Sequence, residues 1–583
     1  MSRASDQSQL PASGYVLKTC QTCFHAKIRC EKTQESGICD RCLRLGKECV
    51  FKPARRRPKA SRRNRVEVRT SSSIMSKSPL SPGARTSTSK GNIDIINRNA
   101  SLDPFEREII SVEFATNLIN WFRTRMMPHF PFVVLPEDLP ADELNKERPC
   151  VCLAALAAAA HSEPLVQLEL GLLFNQVVAA RMVNGYINDL DLLQGLLIHL
   201  AWAHFNPRPK RYTQHLHLAT SIVCDLRLDR PRKPSLWDIH GGMDKNKPDW
   251  GPDEKRALAG VYYLSSSSSI VLQKSRHFSF SPYILSCCED LALQNQSATD
   301  KRLVYIIQLQ CLTEKVEDLV GKTSTTNDVV QFEVEVQKLV QDFAEMKSTW
   351  PFSLSTSLTF LLQFHLLELL LSQASPSGTP FGLDKFHDAP TQPDQYAPLL
   401  HWLSSSISAV RSLISVALVL PQGEEFAMSN IGWIVIYCGL SLAVRLDLLA
   451  AKDGISGLTQ HLRNLLDIPH TLRQIALRLE AALASGPDFV ACDFCPFHGL
   501  SERVRRLEQW YFAQIEQGAA NKAMQEVTNQ SSHVMDNNHV LVDDLMSSQD
   551  GWVGQFGWYQ SPELDISTFL FTDPVGFSEM LEP

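Results

Sequence analysis

Cys20-Gln21-Thr22-Cys23-Phe24-His25-Ala26-Lys27-Ile28-Arg29-Cys30 is followed, after eight intervening residues, by Cys39-Asp40-Arg41-Cys42-Leu43-Arg44-Leu45-Gly46-Lys47-Glu48-Cys49. Both stretches read C-x2-C-x6-C. Three thiolates are too few to close a tetrahedral zinc site, which takes four ligands. Two such ions need eight coordination positions, and six cysteines fill them only if two sulfurs bridge both metals. The equal halves suggest one bridging sulfur from each, in a compact binuclear cluster with approximate two-fold symmetry. A disulfide framework and a protein-binding zinc module are the alternatives. Met1-Ser2-Arg3-Ala4-Ser5-Asp6 opens into polar sequence without the apolar core of a secretory signal. In a reducing compartment, closely paired cysteines are more often metal ligands than disulfides. Most protein-binding zinc modules close with four-ligand sets or include histidine, and His25 stands at no ligand spacing that the cysteines leave unfilled.

The surroundings of the cysteines are cationic. Lys27, Arg29 and Lys32 flank Cys30, and Arg41, Arg44 and Lys47 lie in the second half. Arg55, Arg56 and Arg57 follow in the run from Lys52 to Arg65. Residues 1–66 hold 16 Lys/Arg against 5 Asp/Glu, a balance of +11, so the remainder carries −17 within a whole-chain charge of −6. A basic head this concentrated is the electrostatic footprint of a phosphate-backbone binder, and such runs also direct proteins to the nucleus.

The cysteine pattern resembles the DNA-binding domain of the fungal Zn2Cys6 binuclear-cluster transcription regulators. The resemblance implies two structural zinc ions held by Cys20, Cys23, Cys30, Cys39, Cys42 and Cys49, with Cys20 and Cys39 as the bridging ligands. It further implies that a short helix between the second and third cysteines enters the major groove of double-stranded DNA at a CGG triplet. Lys27 matches the guanine-reading lysine and Arg29 the basic residue before the third cysteine, and a cation can satisfy guanine O6 and N7. Arg44, Lys47 and Arg55–Arg57 are the expected backbone contacts. The chain departs from the family pattern at Phe24 and Ala26, which replace two basic residues. Gly37 stands where proline is usual, and Glu31 where Asp or Ser is.

Residues 1–17 read as a disordered lead-in, 18–52 as the cluster, and 53–102 as a basic and then Ser/Pro-rich linker that cannot bury enough apolar surface to order itself. No heptad pattern appears between 50 and 105, so the coiled coil that sets half-site spacing in many relatives is not expected, and a homodimer is left open. From 103 to 520 the periodicity is helical. Phe105, Ile109, Val112, Leu118 and Phe122 approximate one apolar face, Leu192–Leu200 is an apolar helical segment, and Leu216, Ala219, Ile222, Val223 and Leu226 recur at helical spacing. So do Phe332, Val336, Leu339, Phe343 and Met346. Val151–Ala160 is the longest uninterrupted apolar run and is too short to span a membrane. Pro376–Pro398 should be an exposed loop, and Arg445 with Asp447 a partly buried polar pair.

The segments from His204 to Arg211, Ala219 to Arg230 and Asp253 to Leu264 are similar, in that order, to the all-helical middle homology domain of the same regulators, specifically those that control secondary-metabolite gene clusters. The resemblance implies a regulatory role. Trp202, Phe205 and Tyr212 could line a ligand pocket, although packed core aromatics are the commoner reading.

Residues 523–583 contain ten Asp/Glu and no Lys or Arg, mixed with Trp552, Trp558, Phe569 and Phe571. That is the composition of an activation segment that folds onto transcriptional coactivators. No H-E-x-x-H, G-x-G-x-x-G, P-loop or G-x-S-x-G occurs, so an enzyme is not expected. Cys492, Cys495 and His498 offer three ligands without a fourth nearby. The expected architecture is a small Zn2Cys6 cluster domain plus a large all-α regulatory domain, with a disordered linker and an acidic tail. The expected function is sequence-specific control of RNA polymerase II transcription from the nucleus, as an activator of a biosynthetic gene cluster. A zinc-dependent nuclear interaction scaffold, or a repressor, is the alternative.

Overall fold

Helix ends in this protein are set by the residues that can satisfy them. The computed structural model describes residues 20, 22–23, 30–31, 38–47 and 49–50. It also describes 102–531 without 186–187, 207–210, 232–249, 273–275, 277, 324–328, 352–356, 375–396, 453 and 485–495. The chain divides into two compact units, Met1–Ser87 and Thr88–Pro583. In the first, helix α1 is Asp40–Arg44. The second holds α2 (Val112–Trp121), α3 (Ala141–Glu147), α4 (Pro149–Ala159), α5 (Pro164–Asn184), α6 (Leu190–Ala201), α7 (Tyr212–Leu226), α8 (Pro252–Leu272) and α9 (Pro282–Gln294). These are followed by α10 (Asp300–Thr323), α11 (Val329–Ser348), α12 (Leu358–Gln373), α13 (Ala397–Val419), α14 (Asn430–Ala450), α15 (Ser456–Leu466), α16 (Ile468–Ala484) and α17 (Pro496–Ser531). No strand occurs among the described residues.

Helices α4, α5 and α9 begin with proline, which lacks the N–H that a first turn leaves unpaired. Asp189 and Ser429 cap α6 and α14, their side chains accepting from Asp191 N and Gly432 N. Gly185 ends α5 at φ 76°, in the left-handed region that costs glycine nothing. Packing is close where small residues meet: a Cβ on Gly195 of α6 would stand 2.8 Å from the Cys150 carbonyl oxygen of α4. That approach explains why alanine-rich α4 is buried along nearly all of its length.

Helix α14 is the hub, touching α6, α8, α12, α13, α15, α16 and α17. Helices α13 and α14 are long and apolar enough by composition to cross a membrane, although Ser, Gly, Arg and Asp interrupt any continuous apolar run. The apolar window of α14 is 83% buried within the bundle, as expected of a helix with neighbours on every side. The anticipated face on α11 is present: Phe332, Val336, Leu339 and Phe343 are buried, with Met346 packed beside them.

Three sequence expectations are corrected. Phe105 and Ile109 lie before α2, in a turn whose N–H groups at Phe105 and Glu106 donate to Asp103. Glu108 has φ 57° there, which a helix does not tolerate, and Val112 is exposed; the face of α2 is Ala115, Leu118 and Ile119. Asp447 pairs with Arg463 at 3.2 Å and accepts from Tyr511 at 2.8 Å, because residues two apart on a helix, such as Arg445 and Asp447, point to different sides. Helix α17 continues to Ser531, past position 520, through sequence free of proline. Pro376 and the residues up to 396, Cys492 and Cys495, and the tail beyond 531 lie outside the described residues.

Some buried polar groups pair across helices. Arg256 of α8 meets Asp300 of α10 through two 2.8 Å hydrogen bonds, both side chains being almost fully buried. Trp202 and Tyr212 are core residues, Trp202 Nε1 donating to the Ala427 carbonyl at 3.0 Å and Tyr212 meeting Ser268 at 2.8 Å. Neither they nor Phe205 line the cavity of about 20 Å³ found among α8, α10, α12 and α14, beside Gln310 and Gln363. That volume suits a water-sized occupant.

Candidate metal centre and nucleic-acid interface

In the N-terminal unit the cysteines replace a hydrophobic core: Cys20, Cys23, Cys39 and Cys42 are its buried residues among those described, with Cys30 and Cys49 half-buried against them. Helix α1 positions two of the four. Cys39 is its N-cap residue and Cys42 lies on its inner side. The helix stops at Gly46 (φ 59°), with Gly46 N donating to Leu43 O and Lys47 N to Cys42 O, the paired bonds of a Schellman motif. A glycine is needed there, and the sequence supplies it.

The sulfurs of Cys20, Cys23, Cys39 and Cys42 all lie within 4.8 Å of one another. Sγ–Sγ distances are 3.7 Å for Cys20–Cys39, 3.8 Å for Cys20–Cys42 and 3.6 Å for Cys23–Cys39. Zinc–sulfur bonds of about 2.3 Å in a tetrahedron place ligand sulfurs about 3.8 Å apart. The four thiols are therefore spaced to hold a metal ion. Cys20 and Cys39 are central: Cys20 is in hydrogen-bonding contact with Cys23, Cys30, Cys39 and Cys42, and Cys39 with Cys20, Cys23 and Cys49. The two halves repeat one backbone pattern. Cys20 N donates to Cys30 Sγ at 3.4 Å and Cys39 N to Cys49 Sγ at 3.3 Å.

That pattern separates the thiols chemically. The Cys42 N–H holds the Cys39 thiol down to about 6. For Cys20, burial acts upward but is outweighed by hydrogen bonds from the Cys23 N–H and from the Cys23 and Cys49 thiols, so it too is lowered. Burial pushes Cys30 up to about 12 and raises Cys23, Cys42 and Cys49. The first cysteine of each half is the one whose thiolate the fold favours.

Arg44, at the end of α1, and Lys47 beyond it are exposed, as a surface that meets phosphate requires. Lys27, Arg29, Arg55, Arg56 and Arg57 lie outside the described residues. Arg41, inside the second C-x2-C, is half-buried on α1, whereas Arg44 and Lys47 are exposed. In the helical unit His215 is buried and His217 exposed, so the two do not converge.

A small unit built around cysteine sulfurs, joined in one chain to a large α-helical region, defines a zinc-cluster type of regulator. The chain belongs to the fungal Zn2Cys6 binuclear-cluster transcription factors. It is 31% identical over 510 residues to Transcription factor himD of Aspergillus japonicus, covering 85% of this chain and 84% of that one. It is 24% identical to Transcription factor opdL of Penicillium oxalicum, over 51% of this chain and 56% of that one. It is 22% identical to Transcription factor pbcR of Emericella nidulans, over 57% and 52%. No family model and no solved structure matches the chain.

Proposed function

We propose that this protein is a sequence-specific DNA-binding regulator of RNA polymerase II transcription, not an enzyme, and that its N-terminal cluster is the DNA reader. One observation carries the reading: the sulfurs of Cys20, Cys23, Cys39 and Cys42 lie within 4.8 Å of one another, at the spacings of zinc thiolates, with Cys30 and Cys49 half-buried against them. Cys20, Cys23, Cys30 and Cys39 would hold one ion, and Cys20, Cys39, Cys42 and Cys49 the other. The zinc is structural, since the buried residues of the unit, among those described, are cysteines and not an apolar core. Lys27, with Arg29, reads guanines of a CGG-like half-site, while Arg44, Lys47 and Arg55–Arg57 neutralise phosphates. The acidic, aromatic tail from 523 to 583 recruits coactivators, which favours an activator over a repressor. The likeness of the middle segments to regulators of secondary-metabolite gene clusters supports such a cluster as the target, and the basic run from Lys52 to Arg65 supports a nuclear address.

The test is selection of random duplex DNA by the purified full chain, with zinc and again with a chelator. Enrichment of a CGG-containing site that disappears on chelation is the expected result, and its spacing would reveal a homodimer. Zinc-bound protein that enriches no sequence would move the assignment to a nuclear interaction scaffold.

A further inference from the structure

We propose that the C-terminal part of α17 is a dimerisation surface whose partner is a second copy of this chain, laid antiparallel about a two-fold axis at Ala519–Ala520. Helix α17 packs antiparallel on α16: Glu480 accepts from Ser501 at 2.9 Å and from Arg505 at 2.7 Å, and Arg473 meets Glu508 at 3.4 Å. Helix α16 begins at Ile468, so it runs out opposite about residue 513. The last buried side chain described on α17 is Tyr511. The helix nevertheless continues to Ser531, about 30 Å further on. From Phe512 to Ala520 every residue but Gln514 is exposed, and a Cβ on Gly518 would meet nothing within 4 Å.

A helix of that length containing Gly518, Asn521, Thr528 and Asn529 is marginal alone in water, and packing against a neighbour is what ordinarily sustains one. The sequence indicates which neighbour fits. Between 512 and 531 the large apolar residues are Phe512, Ile515, Met524 and Val527, with Ala519 and Ala520 at their centre. The spacings are 3, 4, 1, 4 and 3, the same from either end. An antiparallel copy therefore brings position 512 level with 527, 515 with 524 and 519 with 520, the self-complementary pattern of a two-fold interface. Alanines at the axis let the two backbones come close. The charges agree with this arrangement. Residues 512–531 hold Glu516, Lys522 and Glu526, a balance of −1, whereas residues 532–583 hold nine Asp/Glu and no Lys or Arg. Antiparallel pairing starts the two acidic segments at opposite ends of the pair, where a parallel one would set like charges side by side. The strip is about 30 Å long and 10 Å wide on each copy, so the interface lies at the low end of the roughly 1,200–2,000 Å² of specific complexes and the dimer is of micromolar strength.

The experiment is analytical ultracentrifugation of the zinc-loaded full chain without DNA, at about 1–100 μM. The wild type should pass from monomer to dimer within that range. Ala519→Glu sets two carboxylates at the axis and should weaken the dimer at least about 10-fold, with the thermal midpoint of the helical unit unchanged. Asn521→Glu adds the same charge about half a turn away from the apolar strip and should leave the dimer at wild-type strength. Phe512→Glu and Val527→Lys should each weaken it alone, and mixing the two should restore a dimer of one of each, since only antiparallel pairing brings 512 to 527. A wild-type chain that stays monomeric throughout, a dimer indifferent to Ala519→Glu, equal weakening by Asn521→Glu, or a mixture that stays monomeric overturns the proposal. If Ala519→Glu aggregates, Ala520→Glu decides in its place: loss of the dimer supports the surface and wild-type strength overturns it. None of these outcomes depends on whether the N-terminal cluster reads DNA.

Discussion

The two units of this chain solve the problem of folding with different materials. The helical unit buries aromatic and aliphatic side chains around α14, and satisfies its few buried charges across helices, as at Arg256–Asp300. The N-terminal unit has only its cysteines inside, among the described residues. A stretch of about thirty residues is too short to bury a sufficient apolar core, and metal–sulfur bonds can stand in for one. One unit therefore depends on apolar burial, and the other on thiolate chemistry.

The sharpest way to break this contrast is to remove the metal. A chelator should abolish specific DNA binding and unfold the N-terminal unit, since structural zinc contributes on the order of 10–16 kcal/mol to such modules. Circular dichroism at the helical minimum and the thermal midpoint of the helical unit should hardly change. The reverse cut is Asp300→Ala, which leaves the buried Arg256 with Asp253 as its remaining partner and should cost the helical unit about 3–5 kcal/mol in denaturant unfolding while zinc content stays at its wild-type value. At the DNA surface, Lys27→Ala should lose about 1–3 kcal/mol of preference for the selected site over a mismatched one, whereas Arg56→Ala should weaken all sequences alike.

Acid sharpens the comparison with a smaller effect. Burial holds the His204 imidazole down to about 3, so the folded protein leaves it neutral where the unfolded chain takes a proton near 6.5. The unfolded state binds more protons in that interval. The stability gained from neutral His204 is therefore fully present above about pH 6.5 and is lost as pH falls toward 3. Between pH 7 and pH 5 the chelated protein should lose about 1–2 kcal/mol on this account. In His204→Leu the dependence should flatten, as read by denaturant midpoints at the two pH values.

The two units also differed in how much their sequences disclosed. Cysteine spacing is local, so the six sulfurs could be named from the chain, while the hydrogen bond from Asp40 N to the Glu31 carbonyl joins the two half-motifs and could not. In the helical unit α11 was legible because one face is buried and the other wet. Helices α4 and α14 are covered on nearly all sides and carry no amphipathic period, so only their apolar content showed. Phe105 and Ile109 lie at helical spacing yet sit in a turn held by Asp103, a local hydrogen bond that outweighs the pattern. The partners of Asp447 come from α15 and α17, elements whose approach no local pattern announces.

The zinc content of the intact protein, weighed by native mass spectrometry beside Cys20→Ser and Cys23→Ser, bears most directly on the shared-sulfur cluster. The expected result is two zinc ions per wild-type chain, with Cys20→Ser weakening both and Cys23→Ser chiefly one. A single zinc per wild-type chain, or two ions that survive the loss of Cys20 unchanged, would contradict a centre built on sulfurs held in common.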